Sequence, residues 1–180
     1  GDGGGAVVYL DRGEVRVLTR NDRDVTATYP ELRALGAALP KLEAVLDGEL
    51  VAFDAAGRPS FGELQARMHV QRPSATLCER VPVTYLAFDL LHLGEGSLLR
   101  GTYDVRRAAL EDLDLRGPSW DTPPAFAGDG AAALDTSRAQ GLEGVGIVHG
   151  QEDVLGRKVL VQPVGGPDLA VAETECRGRE

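Results

Sequence analysis

An α+β fold is predicted by three features of this 180-residue chain. Period-two apolar runs pair across short polar turns, proline or a capping box opens helical segments, and two long strand-like runs carry carboxylates at their centres. Strands joined by turns this tight must run antiparallel, so the expected layers are antiparallel sheets with flanking helices.

Ala6 to Leu10 and Glu14 to Thr19 read as a hairpin closed by Asp11-Arg12-Gly13. Pro30 suits the first turn of a helix that presents Leu32, Leu35 and Leu39 on one face and stops before Pro40. Ala44 to Phe53 has the apolar content of a strand, interrupted by Asp47-Gly48-Glu49. After the turn at Ala55-Ala56-Gly57, Ser60 and Glu63 form a capping box for a short helix carrying Leu64 and Met68. Val83 to Leu93 is the most strand-like stretch, with Asp89 in its middle. Asp104 is expected to cap a helix through Leu113, with a turn-rich connection from Pro118 to Pro124. A further helix fits Ala131 to Gln140 with Gly141 as its stop, and Val145 to His149 and Lys158 to Gln162 fit two closing strands. Residues 163–180 have no clean period and read as a loose tail.

Bulk properties exclude several classes. No apolar run approaches a membrane span, and the Gly/Asp-rich start lacks the regions of a signal peptide, so a soluble, cytoplasmic protein without membrane contact is expected. Cys78 and Cys176 stand far apart, as unpaired thiols of a reducing compartment, and His69, His92 and His149 form no cluster. The formal net charge of −9 opposes free-standing nucleic-acid binding, which depends on neutralising phosphates. Lys41 and Lys158 are the only lysines among 19 basic residues. That scarcity matters because arginine cannot serve as an amine nucleophile.

Three acids lie in strand-like segments: Glu49, Asp89 and Glu143. Any one alone fits the solvent face of a half-buried sheet. Converging from separate strands, carboxylates make an oxygen site suited to Mg²⁺ and so to nucleotide phosphates. Gly48 and Gly144, next to two of them, permit close approach of backbone or ligand.

The ordered segments Leu46-Asp47-Gly48-Glu49-Leu50-Val51, Tyr85-Leu86-Ala87-Phe88-Asp89-Leu90-Leu91 and Leu142-Glu143-Gly144-Val145 resemble three nucleotidyltransferase motifs of ATP-dependent DNA ligases. Between them, Leu18 to Thr26, Tyr29 to Leu32 and Phe61 to His69 are similar to the bacterial end-joining ligases in particular. The likeness runs from about Asp2 to Val145. It implies a nucleotidyltransferase (ATP-grasp-like) fold around a nucleotide cleft; the expected division is an adenylation domain over residues 1–162 and a tail at 163–180, without the OB-fold domain that the family normally adds. It also implies ATP as cofactor with Mg²⁺ or Mn²⁺, ATP or AMP and nicked DNA as partners, and contact with other end-joining repair proteins.

In that family a lysine of a K-x-D-G motif attacks the α-phosphate of ATP, and the resulting lysyl-AMP activates a DNA 5′-phosphate before the break is sealed. By resemblance Asp2 and Gly3 match the D-G, Glu49 holds the ribose hydroxyls, Phe88 stacks on adenine, Arg20 meets phosphate or DNA, and Glu49 and Glu143 serve the metal. The departures are specific. The nucleophilic lysine would precede Gly1, Gly5 stands where the family has an arginine, and Val148 replaces a phosphate-binding amine. The family's closing W-x-K-x-K motif has no convincing counterpart; the nearest strand, Lys158 to Gln162, would put Leu160 and Gln162 at the lysine positions. Without nucleophile and cations, nucleotidyl transfer loses its covalent route and its electrostatic support. The expectation is therefore a ligase-like adenylation domain that does not adenylate itself. The alternative is a non-catalytic module, derived from a ligase, that binds a nucleotide or a partner.

Overall fold

The first hairpin forms where the alternation ends: β1 (Gly5–Asp11) and β2 (Glu14–Thr19) pair antiparallel, with Asp11 opposite Glu14. Arg12 and Gly13 both turn at positive φ, 47° and 96°, the two-residue geometry that matches the twist of the flanking strands. The computed structural model describes residues 4–123, 125–127, 146–149, 157–161 and 170–174. The chain divides into two compact units, Gly1–Asp54 with Pro59–Thr122, and Ala55–Arg58 with Pro123–Glu180.

In the first unit a 3₁₀ turn at Pro30–Leu32 runs into α1 (Arg33–Ala38), which buries Leu32 and Leu35 and partly covers Leu39, the face expected from their spacing. β3 (Glu43–Ala52) follows, then α2 (Phe61–Met68), whose N-cap Ser60 accepts from the Glu63 backbone N–H at 3.3 Å. A short α3 (Ala75–Arg80), capped by Ser74, was not foreseen; six residues leave no helical period to read. β4 (Val83–Leu93) matches its expected bounds, and β5 (Gly96–Ser97) folds back on it. α4 (Tyr103–Asp112) starts from Thr102 rather than from Asp104, which lies inside the first turn, where a carboxylate complements the helix dipole. The connection after α4 supplies a small hairpin, β6 (Arg116–Gly117) and β7 (Trp120–Asp121).

These strands form one seven-stranded sheet in the order β2-β1-β3-β4-β7-β6, with β5 added to β4. The sheet is mixed, which corrects the expectation of purely antiparallel pairing: β7 runs parallel to β4, because α4 carries the chain back between them. One face is core. Ala6, Val8 and Leu10 of β1, Ala44, Leu46 and Leu50 of β3, and Val83, Tyr85 and Ala87 of β4 pack with Leu32, Leu35, Leu64 and Leu110. Beneath β3 the Tyr85 hydroxyl lies 3.1 Å from the Leu46 carbonyl and 3.3 Å from that of Ala6, so one side chain ties three strands together. Gly48 is what makes room for it. A methyl group there would stand 2.1 Å from the Leu86 carbonyl and 2.8 Å from the Tyr85 hydroxyl.

The second unit contains a four-stranded sheet in the order β8-β11-β10-β9, built from β8 (Ala125–Ala127), β9 (Gly146–His149), β10 (Arg157–Val161) and β11 (Ala170–Thr174). β9 and β10 are the two closing strands the sequence predicts. β11 lies within the segment expected to be a loose tail: Ala170–Thr174 pairs antiparallel with β10 and parallel with β8. The expected helix at Ala131 to Gln140 lies outside the described residues.

Candidate nucleotide site

The face of the large sheet opposite the core carries the predicted residues. Strand alternation sends Leu46, Gly48 and Leu50 of β3 to the core side, and therefore sends Asp47 and Glu49 to the other. The register places Glu49 opposite Gly5 on one side and opposite Leu86 on the other. Arg20 follows directly on β2, whose Thr19 pairs with Ala6, and its side chain lies over Gly5. Arg20, Gly5, Glu49 and Leu86 thus make one row across four strands.

Glu49 is half-buried, and burial holds its carboxyl above the usual carboxylate range, with the charge of Arg20 pulling the other way. A carboxylate in this position makes stronger hydrogen bonds than one in open water. Phe88 sits at a β-bulge: Asp47 pairs with Asp89 and Gly48 with Ala87, which leaves Phe88 as the extra residue of β4. It is buried, 2% exposed, yet falls outside the main apolar cluster that takes in its neighbours Tyr85, Ala87 and Leu90. Its ring is thus a covered wall in this structure, not an open platform.

Asp89 behaves differently from the other acids. Arg106 of α4 donates to it from Nε at 2.9 and 3.1 Å and from Nη2 at 2.8 Å, and the Leu90 N–H donates at 2.9 Å. Tyr103 lies under the same guanidinium, 5.9 Å from it. Asp89 is spent on joining α4 to β4, which removes it from the trio of convergent acids.

A metal site does not assemble from what is described. No group of three His, Cys, Asp or Glu residues able to hold an ion occurs among the described residues, and the cation nearest in effect to Glu49 is Arg20. Asp2, Gly3 and Glu143 lie outside the described residues. A separate groove, lined among others by Tyr9, Arg12, Arg16, Glu43 and His92, contains none of the predicted residues. Both of its arginines are paired within it, Arg12 with Glu43 and Arg16 with Asp24. Cys78 is free.

Sequence reasoning missed a second buried arginine. Arg67 of α2 is fully buried, donating to the carbonyls of Val81 at 2.7 Å and Thr28 at 2.9 Å and to Glu31 at 3.0 Å. The signal was a helix whose inward face reads Leu64, Arg67, Met68, with an arginine where an apolar residue is expected.

The family described as ATP dependent DNA ligase domain matches residues 1–147. The multifunctional non-homologous end joining protein LigD of Mycobacterium bovis is 43% identical over 144 residues, covering 80% of this chain and 18% of that protein. The crystal structure of the ligase domain from Mycobacterium tuberculosis LigD superposes with a TM-score of 0.65 at 33% identity, covering 99% of this chain and 65% of that one. A mycobacterial DNA ligase D complexed with ATP and MES superposes with the same TM-score of 0.65 at 33% identity, covering 98% of this chain and 52% of that one. The chain therefore spans less than a fifth of the length of the LigD protein it matches.

Proposed function

The chain belongs to the ATP-dependent DNA ligase domain family, with the adenylation domains of the non-homologous end-joining type, and from that membership we propose that its Glu49 face holds the adenosine end of ATP or AMP. The observation that carries this reading is the row Arg20, Gly5, Glu49, Leu86 beside the bulged Phe88. A related ligase complexed with ATP supports it.

In this reading the Glu49 carboxylate accepts hydrogen bonds from the ribose hydroxyls, the Phe88 ring bounds the adenine, and the Arg20 guanidinium, exposed at its outer edge, meets phosphate. Asp2, Gly3 and Glu143 are proposed as nucleotide-binding residues from the motifs alone. The described residues do not supply a fitting metal group, so no step is assigned to Mg²⁺ or Mn²⁺. Sealing of DNA breaks in end-joining repair, with nicked DNA and other repair proteins as partners, is the proposed activity of the whole protein to which such a domain contributes. A cytoplasmic setting goes with it; no helix among the described residues is long and apolar enough to cross a membrane.

For the described residues the proposal is nucleotide binding, with Lys41 excluded as the attacking amine. Of the chain's two lysines, Lys41 precedes β3 and stands eight residues from Glu49, roughly 26 Å along an extended chain. An amine that far away cannot attack a phosphate held beside Glu49. Val148, at the place of a phosphate-binding amine, pairs with Lys158 across β9 and β10. Incubation with α-labelled ATP and Mg²⁺ followed by denaturing electrophoresis tests the proposal. No AMP label is expected at Lys41, and a covalent AMP adduct mapped to Lys41 by peptide mass spectrometry would overturn it. Calorimetry with ATP tests the binding half, which fails if no heat of binding is seen.

A further inference from the structure

Position 5 is the one place where the edge strand can reach the third strand. Two inter-strand spacings, about 10 Å, separate the line of β2 from that of β3, and β1 lies between them. A side chain on β1 in this row would block the path. Gly5 has none, and Arg20 occupies the space: a methyl group at residue 5 would stand 2.6 Å from Arg20 Nε, 3.1 Å from Cζ and 3.2 Å from Cδ. All three contacts are shorter than the 3.5–4.0 Å or so at which unbonded carbon atoms settle. The arm therefore lies along the bare backbone of β1, in volume that any other residue at position 5 would claim. Glu49 is the direct register partner of Gly5 and is within reach of the Arg20 charge.

We propose that Gly5 and Arg20 form a single positioning device for the nucleotide face, in which the absence of a side chain at residue 5 lets the Arg20 guanidinium cross β1 and serve as counter-charge to Glu49. The proposal rests on the reading of this face as a nucleotide site. Its chemistry follows from the guanidinium fork, which carries five N–H donors in a plane. Laid across β1, the guanidinium brings its charge to bear on the Glu49 carboxylate, and its donors stay available to a phosphate oxygen. The ligand class this arrangement suits is a nucleoside phosphate, with sugar and phosphate placed by two groups that hold each other. Arg20 and Gly5 then depend on one another, and neither works through a metal ion.

The test is a double-mutant cycle on the full chain, read by calorimetry with AMP and with adenosine in the presence of EDTA. Gly5→Val evicts the arm and Arg20→Ala removes it. Each is expected to weaken AMP binding by about tenfold and adenosine binding by less than about twofold, and the double variant is expected to bind no more weakly than Arg20→Ala. Gly5→Val binding AMP as the unmodified chain does, or losses that multiply in the double variant, would overturn the proposal. A second readout needs no ligand. The ¹⁵N resonance of Arg20 Nε–H is expected to report a restrained side chain in the unmodified chain and a mobile one in Gly5→Val; equal mobility in both overturns the pairing. If the unmodified chain binds neither AMP nor adenosine while this resonance behaves as expected, the nucleotide reading fails and the pairing stands.

Discussion

Arg106 grips Asp89 with one edge of its guanidinium, through Nε and Nη2, and a further contact from Nη1 to the Gly101 carbonyl at 2.8 Å closes the loop that leads into α4. Both partners are almost wholly removed from water, with side chains 7% and 12% exposed. Removing either one alone strands a charge in a poorly solvated place. Arg106→Met is expected to lower stability by about 3–5 kcal/mol, read from urea unfolding, whereas pairing it with Asp89→Leu recovers much of the loss. An additive double variant would show that the two groups do not act on each other.

Gly48 is the second sensitive position. An added methyl group must displace backbone, the Leu86 carbonyl, as well as the Tyr85 ring tip. Gly48→Ala is therefore expected to destabilise at the upper end of the usual overpacking range, about 1–3 kcal/mol, seen as a lower melting temperature. An unchanged melting temperature would mean that β3 and β4 separate at little cost.

Phe88 invites a comparison of two substitutions. Phe88→Ala empties a buried site and should cost about 3–5 kcal/mol of stability along with ATP binding. Phe88→Leu keeps most of the volume, so it should retain most of the stability yet still lose ATP affinity, because the aromatic face is gone. Full ATP affinity in Phe88→Leu would reduce the residue to packing alone.

Tyr29 gives a prediction in alkaline solution. Burial pushes its phenol from 10.0 up to about 12, the Arg67 charge acting against the shift. In the unfolded chain the phenol gives up its proton near pH 10, while the folded form keeps it, so folding carries this contribution fully below pH 10 and loses it between pH 10 and about 12. The loss amounts to roughly 2–3 kcal/mol. Urea midpoints at pH 9 and pH 11 should fall less in Tyr29→Phe than in the unmodified chain; an identical fall would exclude Tyr29 as the source.

How much of this was legible in the residues depends on the range of the forces involved. The hairpin at Arg12-Gly13, the box at Ser60 and the strand from Val83 to Leu93 were readable because turn chemistry, capping and alternation are local. The row through Gly5 and Glu49 was only half readable. The motifs named Arg20 and Glu49, but that Gly5 and its neighbour Arg20 lie beside Glu49 depends on a register between residues 44 apart in sequence. Asp89 shows the limit most clearly: as a charge in an apolar run it looked like a ligand, and only the placement of Arg106 one helix later shows that it is a structural partner. The inward face of α2 marked Arg67, but what it bonds was not readable, since its carbonyl acceptors at Thr28 and Val81 lie outside its own helix.

The Tyr85 hydroxyl, shared between the carbonyls of Leu46 and Ala6, has a mechanical result for the molecule. It acts as a bolt through three adjacent strands, so they cannot shear past one another without exposing a buried phenol. Whatever opening lets a ligand reach Glu49 must come from loops and side chains at the rim, with the floor itself staying rigid.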